Sequence, residues 1–429
     1  MRLPDRLVLP AVDRLVRGGI DMPAGQAFVV NLFSALKAGW PRFHPRVRRR
    51  FAANLFGNLM LLSGGKHARA AARLGDWPAV MVVSPTTRCN LACEGCYSAG
   101  GGQSDAITTG RFDRLLSECE ALGIYFVVVS GGEPFLRADL LDLFARHPDI
   151  EFLVFTNGTL IARRNLAPAL AWLGNVIPCI SVEGFEEQTD RRRGAGVHAE
   201  VAAAMAALRD EGVIFGFSAT PMRHNNDLLV SDAFVDHCVR AGCFAGFYFG
   251  YVPVGRDPNL SLMPTPEQRL ARLRRIREIR RSGRLIVSDF WCDGEISGGC
   301  LSAGRVYFHV NAAGGVEPCV FHQFSADSIL DRPLADALDS AYFRHLRASL
   351  ASFDNPLRPC PVIDRPEVMR EAVARFGPKP SQPGGERLLG GPLAEGLDRY
   401  AAEVQALMDA EFEPRRAAFR WSRWQRPDG

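Results

Sequence analysis

The sequence predicts an α/β fold built on a parallel sheet, and three observations lead there. Six short apolar, β-branched runs recur between residues 79 and 253. Segments long enough for a helix separate them, so successive strands are joined by crossovers rather than hairpins. The runs are continuously apolar instead of alternating, as in strands buried on both faces. Such a sheet is open or partly closed as a barrel, with right-handed crossovers. In that fold, chemistry collects on the loops that follow the strands' C-terminal ends.

The elements are taken in chain order. Residues 1–78 precede the strands and carry 13 Lys+Arg against 4 Asp, a balance of +9, whereas residues 79–429 carry 38 against 43, or −5. The basic excess is therefore local. Phe28, Val29, Leu32, Phe33 and Leu36 repeat at helical intervals, as do Phe51, Leu55, Leu59 and Leu62, with "PRFHPRVRRR" between them. This predicts an all-helical basic module at 1–78. Two destinations fit its apolar stripes: docking on the main domain, or an anionic membrane surface or lipid-like substrate met by the arginines. The opening "MRLPDRLVLPAVDRLVRGGI" breaks its apolar residues with charges and reads as no secretory signal. With eleven cysteines in the chain, that predicts a reducing cytoplasm, where clustered cysteines bind metal more often than they form disulfides. No window reaches the roughly 18 apolar residues of a spanning helix. The expected location is cytoplasmic, with residues 1–78 able to touch the inner face of the membrane.

The predicted strands are "AVMVVSP", "IYFVVVSGGEP", "IEFLVFTNGT", "NVIPCISVEG", "GVIFGFSATP" and "FAGFYFGYVP". Directly after the first comes "TTRCNLACEGCYSAGGG", where Cys89, Cys93 and Cys96 stand at C-x3-C-x2-C spacing. Three thiolates leave a bound metal with one open position. A structural zinc site normally closes with a fourth Cys or His and prefers C-x2-C pairs.

This loop, taken with the later strand ends, resembles the radical S-adenosylmethionine (SAM) superfamily across residues 79–255. The resemblance implies a partial (β/α)6 TIM-like barrel at 79–290. It also implies a [4Fe-4S] cluster on Cys89, Cys93 and Cys96, whose open iron chelates the methionine end of SAM. "SGGEP" is similar to the family's GGE motif, which gives Gly131, Gly132 and Glu133 the methionine amino group. "TNGT" matches the segment common after the third strand, through Thr156 and Asn157. "SVEGFEEQTDRRRG" resembles the family's pattern after the fourth strand and implies Ser181 and Glu183 at the ribose and Arg193 at the carboxylate. "SATPMRHNN" and "YFGYVPVGR" imply Ser218 and Asn225 near the adenine and substrate. Many members place an aromatic residue just before the third cysteine, whereas this chain has Gly95 there and Tyr97 just after.

Residues 291–375 contain Cys300, then Gly314-x4-Cys319, then Cys360. "NAAGG" reads as a hairpin turn pairing Tyr307, His309 and Val310 with Val316–Val320. This resembles the SPASM and Twitch extensions of radical SAM enzymes. The dense C-x2-C-x5-C run of a full SPASM domain is absent, so the resemblance implies one auxiliary [4Fe-4S] cluster in a small α+β domain. Its fourth ligand stays open between Cys292, His322, an Asp or the substrate. Cys119, Cys179, Cys238 and Cys243 read as buried small hydrophobes. Residues 376–429 read as a Gly/Pro linker, a helix from Leu397 to about Phe412 and an Arg/Trp-rich end.

The expected function is reductive cleavage of SAM to a 5′-deoxyadenosyl radical that abstracts hydrogen from a small-molecule, lipid-like or peptide substrate. The electron would come from a flavodoxin- or ferredoxin-type reductant. Alternatives are a SPASM-type maturase of ribosomal peptides and a non-catalytic iron-sulfur carrier or sensor. Nucleic acid is not an expected partner, because the acidic main region repels phosphate and carries no recognisable binding module.

Overall fold

A computed structural model describes residues 23–75, 78–99 and 107–419. All six predicted strands are present: β1 Val80–Val83, β2 Phe126–Val129, β3 Glu151–Thr156, β4 Val176–Ser181, β5 Gly216–Ala219 and β6 Ala245–Tyr248. They lie side by side in sequence order, each parallel to the next. A seventh, β7 Ile286–Asp289, continues the sheet past β6.

Side chains alternate between two buried faces, which is why the runs show no polar alternation. Met81, Val127, Val129, Phe152 and Val154 pack outward into the main core with the surrounding helices. Val80, Val82, Val128, Leu153, Phe155 and Phe247 face inward and line the barrel's cavity. Burying each large outward side chain contributes roughly 1.5–3 kcal/mol, so the outer layer fixes the register that aims the inner one.

The hairpin predicted around "NAAGG" is formed by β8 Tyr307–Val310 and β9 Gly315–Glu317, with His309 opposite Glu317 and Val310 opposite Val316. It does not stand apart from the barrel. β8 also runs parallel to β1, with Val80 opposite Tyr307 and Val83 opposite Val310. A buried polar chain crosses this seam: Ser84 Oγ meets His309 Nε2 at 2.8 Å, His309 Nδ1 meets Glu317, and Asn311 Nδ2 donates to Glu317 at 2.7 Å. The trio has the order of a hydrolytic triad, but Ser84 and His309 are buried and absent from the cavity wall. It acts as a joint.

Residues 23–74 are largely helical, with Pro23–Gly39, Pro45–Phe51, π-helical turns over Ala52–Leu62, and Gly64–Leu74. Leu36, Phe43, Val47 and Phe51 pack against Ile214, and Phe43 meets Phe244 edge-on at 6.2 Å. This part of the apolar stripe is used in docking on the barrel. No helix among the described residues is long and apolar enough to cross a membrane. At the other end, the helix Pro392–Arg416 buries Leu397, Val404, Met408 and Phe412. The opening twenty-two residues and the Arg/Trp-rich end from 420 lie outside the described residues.

The docked module encloses Glu151 at the start of β3. Asn54 Nδ2 donates to its carboxylate at 3.1 Å and to Pro148 O at 3.2 Å. Desolvation pushes Glu151 up to about 8, against the opposing pull of Asn54 and Arg50. A carboxyl held above its unfolded value binds its proton more tightly when folded, so stability falls as pH rises from the unfolded value toward about 8. Glu151→Gln is therefore expected to match the parent near pH 5 and to melt roughly 5 °C higher near pH 8.5 in a thermal-shift series. Equal melting at both pH values would contradict a protonated Glu151.

Candidate functional site

The loop after β1 carries Cys89, Cys93 and Cys96, and all three line one cavity of about 340 Å³. This is within the size range of small-molecule sites. Around the thiols the wall is polar, with Gly131, Gly132, Asn157, Ser181, Arg193 and Ser218. The rest of the wall is largely apolar and includes Phe290, Val306, Tyr307 and Phe321.

The end of β2 holds the cysteine loop in place. Gly132 N donates to Thr86 O at 2.9 Å and Glu133 N donates to Arg88 O at 2.8 Å. A Cβ on Gly131 would lie 2.4 Å from Thr86 O, and one on Gly132 would lie 2.1 Å from Arg88 O. Only glycines allow the two backbones this close. The cysteine loop is stitched from a second side as well: Glu94 N donates to Arg192 O at 3.1 Å, and Arg192 Nε donates to Glu94 O at 3.2 Å.

The motif carboxylates point away from the cavity. Glu133 is fully buried and accepts from Thr156 Oγ1, Asn157 N and Phe135 N at 2.8, 2.8 and 3.1 Å. Burial raises its carboxyl despite these bonds. Glu133 thereby fixes the TNG turn, and Asn157 Nδ2 comes to 4.0 Å from Cys89 Sγ. Glu183 is equally buried. It pairs with Arg192 and Arg193 and accepts from Thr220 N at 3.0 Å. Against desolvation, the two guanidiniums hold its carboxyl below the usual range. Asn225 accepts from Met222 N at 2.7 Å and donates to Glu183 O at 3.2 Å. None of the three lines the cavity; each orients a neighbour that does.

Ser181 and Ser218 face the cavity with their hydroxyls 3.2 Å apart. Arg193, held by Glu183, has Cys93 and Cys96 among its charge neighbours. Tyr97 also lines the cavity and bonds Ser130. Among the wall residues that the sequence analysis did not single out are Arg192 and Tyr251. Arg192 was one of three consecutive arginines with nothing to separate them. Tyr251 explains Gly95, which has φ +60, because a Cβ there would sit 2.5 Å from the Tyr251 ring. The aromatic group beside the third cysteine is supplied from the loop after β6.

Cys300, Cys319 and Cys360 form a second group. Cys360 has both others as charge neighbours, and all three are charge neighbours of Tyr307. Tyr307 also lines the cavity, which links the cavity wall to the second set of thiols. Local backbone geometry separates these cysteines from the core ones. Leu91 N donates to Cys89 Sγ at 3.5 Å, His322 N to Cys319 Sγ at 3.2 Å and Val362 N to Cys360 Sγ at 3.4 Å. The Cys300 thiol meets Ser302 Oγ at 3.1 Å. The N–H···S bonds favour the thiolate that metals require. Cys119 and Cys292 have no such backbone partner. Cys292 packs with Leu273, Leu357 and Val404 beside Arg269 and Arg272.

Both sets of cysteines offer thiolates, the ligands that iron-sulfur clusters take. Among the described residues, no three His, Cys, Asp or Glu side chains gather round one point. Desolvation, with Glu133 and the neighbouring thiols adding, raises Cys89 to about 11, so loading a metal there releases protons.

Residues 83–228 match the radical SAM superfamily model. The chain is 28% identical over 232 residues to Fe-coproporphyrin III synthase of Methanosarcina barkeri, covering 51% of this chain and 57% of that protein. It thus spans little more than half the length of that relative. Against the mycofactocin maturase MftC of Mycobacterium ulcerans it is 28% identical, covering 63% of this chain and 78% of the relative. Streptococcus suis SuiB bound to S-adenosylmethionine superposes with TM-score 0.56 at 16% identity, covering 67% of this chain and 72% of that one. The likeness to SuiB concerns the fold.

Proposed function

We propose that this chain, a member of the radical SAM superfamily through residues 83–228, cleaves SAM reductively and abstracts hydrogen from a substrate held between its two thiol groups. One observation carries the reading: a single cavity is lined by Cys89, Cys93, Cys96 and Tyr307, and Tyr307 has Cys300, Cys319 and Cys360 among its charge neighbours. When bound, the first cluster supplies the electron that breaks the carbon-sulfur bond of SAM and releases the 5′-deoxyadenosyl radical. Everything else belongs to the protein. Cys89, Cys93 and Cys96 would hold that cluster, and Cys300, Cys319 and Cys360 a second one within residues 291–375.

Arg193 offers a cation for a carboxylate, kept in place by Glu183, and Ser181 and Ser218 offer hydroxyl partners to a sugar. Tyr251 presents a ring beside Cys96 that suits a flat heterocycle. The inner wall of Val80, Val82, Phe126, Leu153, Phe155 and Phe247 excludes water and favours a substrate presenting an apolar group to the radical. A peptide side chain and a hydrophobic small molecule both satisfy that, which agrees with relatives named a peptide cyclase and a porphyrin synthase. Against a leader-binding winged helix, residues 23–74 are helical, with no strand among the described residues before Val80. The electron would come from a flavodoxin or ferredoxin. Membrane contact through residues 1–78 would have to use faces other than the one docked on the barrel.

The reading is tested by anaerobic reconstitution with iron and sulfide, followed by dithionite and SAM. The expected product is 5′-deoxyadenosine, detected by mass spectrometry. An electron carrier would form none.

A further inference from the structure

The second thiol group supplies three cysteines for a cluster of four irons, and the structure narrows the search for the remaining ligand. Cys292 packs in an apolar cluster with Leu273, Leu357 and Val404. His322 stands three residues after Cys319, and its own backbone N–H is bonded to the Cys319 sulfur at 3.2 Å. Its imidazole therefore starts within one side-chain length of that thiol. The side chain is fully buried, at 0% exposure. Nε2 lies 2.9 Å from the Tyr342 hydroxyl. Nδ1 has no hydrogen-bond partner among the described residues. An orphaned buried nitrogen costs about 1–3 kcal/mol, and it needs a reason.

One protonation pattern supplies that reason. With the ring proton on Nε2 and donated to Tyr342 Oη, Nδ1 is left as a bare lone pair. Metal-bound histidines are held in this way, with the far nitrogen donating to an outer partner that fixes tautomer and ring orientation. Imidazole is an established ligand to cluster iron. Burial alone favours the uncharged ring, pushing its pKa down to about 3.

We infer that His322 Nδ1 is the fourth protein ligand of the second cluster, oriented by Tyr342. The inference rests on the reading of Cys300, Cys319 and Cys360 as cluster ligands. It implies that the second cluster is closed by protein, leaving Tyr307 as the group through which a substrate in the cavity approaches it.

The test uses the full chain with Cys89, Cys93 and Cys96 replaced by alanine, so that only the second cluster is loaded. After iron and sulfide reconstitution and reduction, metal analysis should give ~4 irons per chain. Pulsed EPR should show nitrogen hyperfine coupling that changes on ¹⁵N-histidine labelling. Adding His322→Cys should remove the coupling while keeping the iron, because a thiolate takes over the position. His322→Ala should lose iron or yield a three-iron signal. Coupling that is absent from the parent, or that survives in His322→Cys, overturns the assignment of His322. A charge-transfer band lost only in Tyr307→Phe transfers the role to Tyr307 and also overturns it. Zinc in place of iron, or no metal at all, overturns the second-cluster reading itself, and that outcome is distinct from the others.

Discussion

Replacing Cys89, Cys93 and Cys96 together by alanine is expected to abolish 5′-deoxyadenosine formation while leaving the melting temperature of the metal-free protein within about 3 °C of the parent. The asymmetry follows from where the thiols lie. All three are only half-buried, on a loop whose position is set by backbone bonds to Gly132, Glu133 and Arg192. Removing three sulfur atoms therefore leaves those bonds and the barrel core intact. Cys119 provides the opposite control. It is fully buried among the outer core residues, and its thiol sits 3.5 Å from the Met81 sulfur. Cys119→Val or Cys119→Ala should lower the melting temperature and keep cleavage. Melting curves and mass-spectrometric counts of 5′-deoxyadenosine on both variants decide it. Cleavage that survives the triple replacement would remove the cluster from this loop.

The two variants separate what a sequence can and cannot reveal. The strands were legible because each is a continuous apolar run, and the motifs were legible because each follows such a run. The hairpin of β8 and β9 was legible from its turn, but its parallel pairing with β1 was not, since nothing local in "VYFHV" specifies a partner more than two hundred residues away. The motif carboxylates show a different gap. Sequence places Glu133 and Glu183 at the right strand ends, yet only the fold reveals that both are spent internally, one on the TNG turn and the other on two arginines. Gly95 looked like a departure from the family pattern until Tyr251 was found in the space it leaves. That exchange is a long-range packing fact. The second thiol group lay between these extremes: its cysteines could be listed from spacing, while the apolar setting of Cys292 beside Leu273, Leu357 and Val404 shows only in the fold.

Gly132→Ala is expected to be nearly as damaging to catalysis as removal of the thiols, although it touches no ligand. The added Cβ would lie 2.1 Å from Arg88 O and 2.8 Å from the carbonyl carbon of Thr87, both backbone atoms with no side-chain freedom to yield. Relief requires separating the β2 end from the cysteine loop by about an ångström, at the residue directly before Cys89. Misplacement on that scale costs roughly a hundredfold in rate at a site that depends on orientation. It also breaks the Glu133 N–H bond to Arg88 O, so the loop loses its anchor together with its register. Iron bound at the first site should fall, and the rate of 5′-deoxyadenosine formation should drop by at least tenfold beyond the loss of iron. Gly110→Ala is the matched control, because a Cβ there meets nothing within 4 Å and the residue lies in the first turn of the helix Thr109–Leu122. Parental cleavage in Gly132→Ala would show that the loop can be held without this contact. Loss in both variants would trace the effect to overall stability, because only the strand-end glycine touches the loop that carries the thiols.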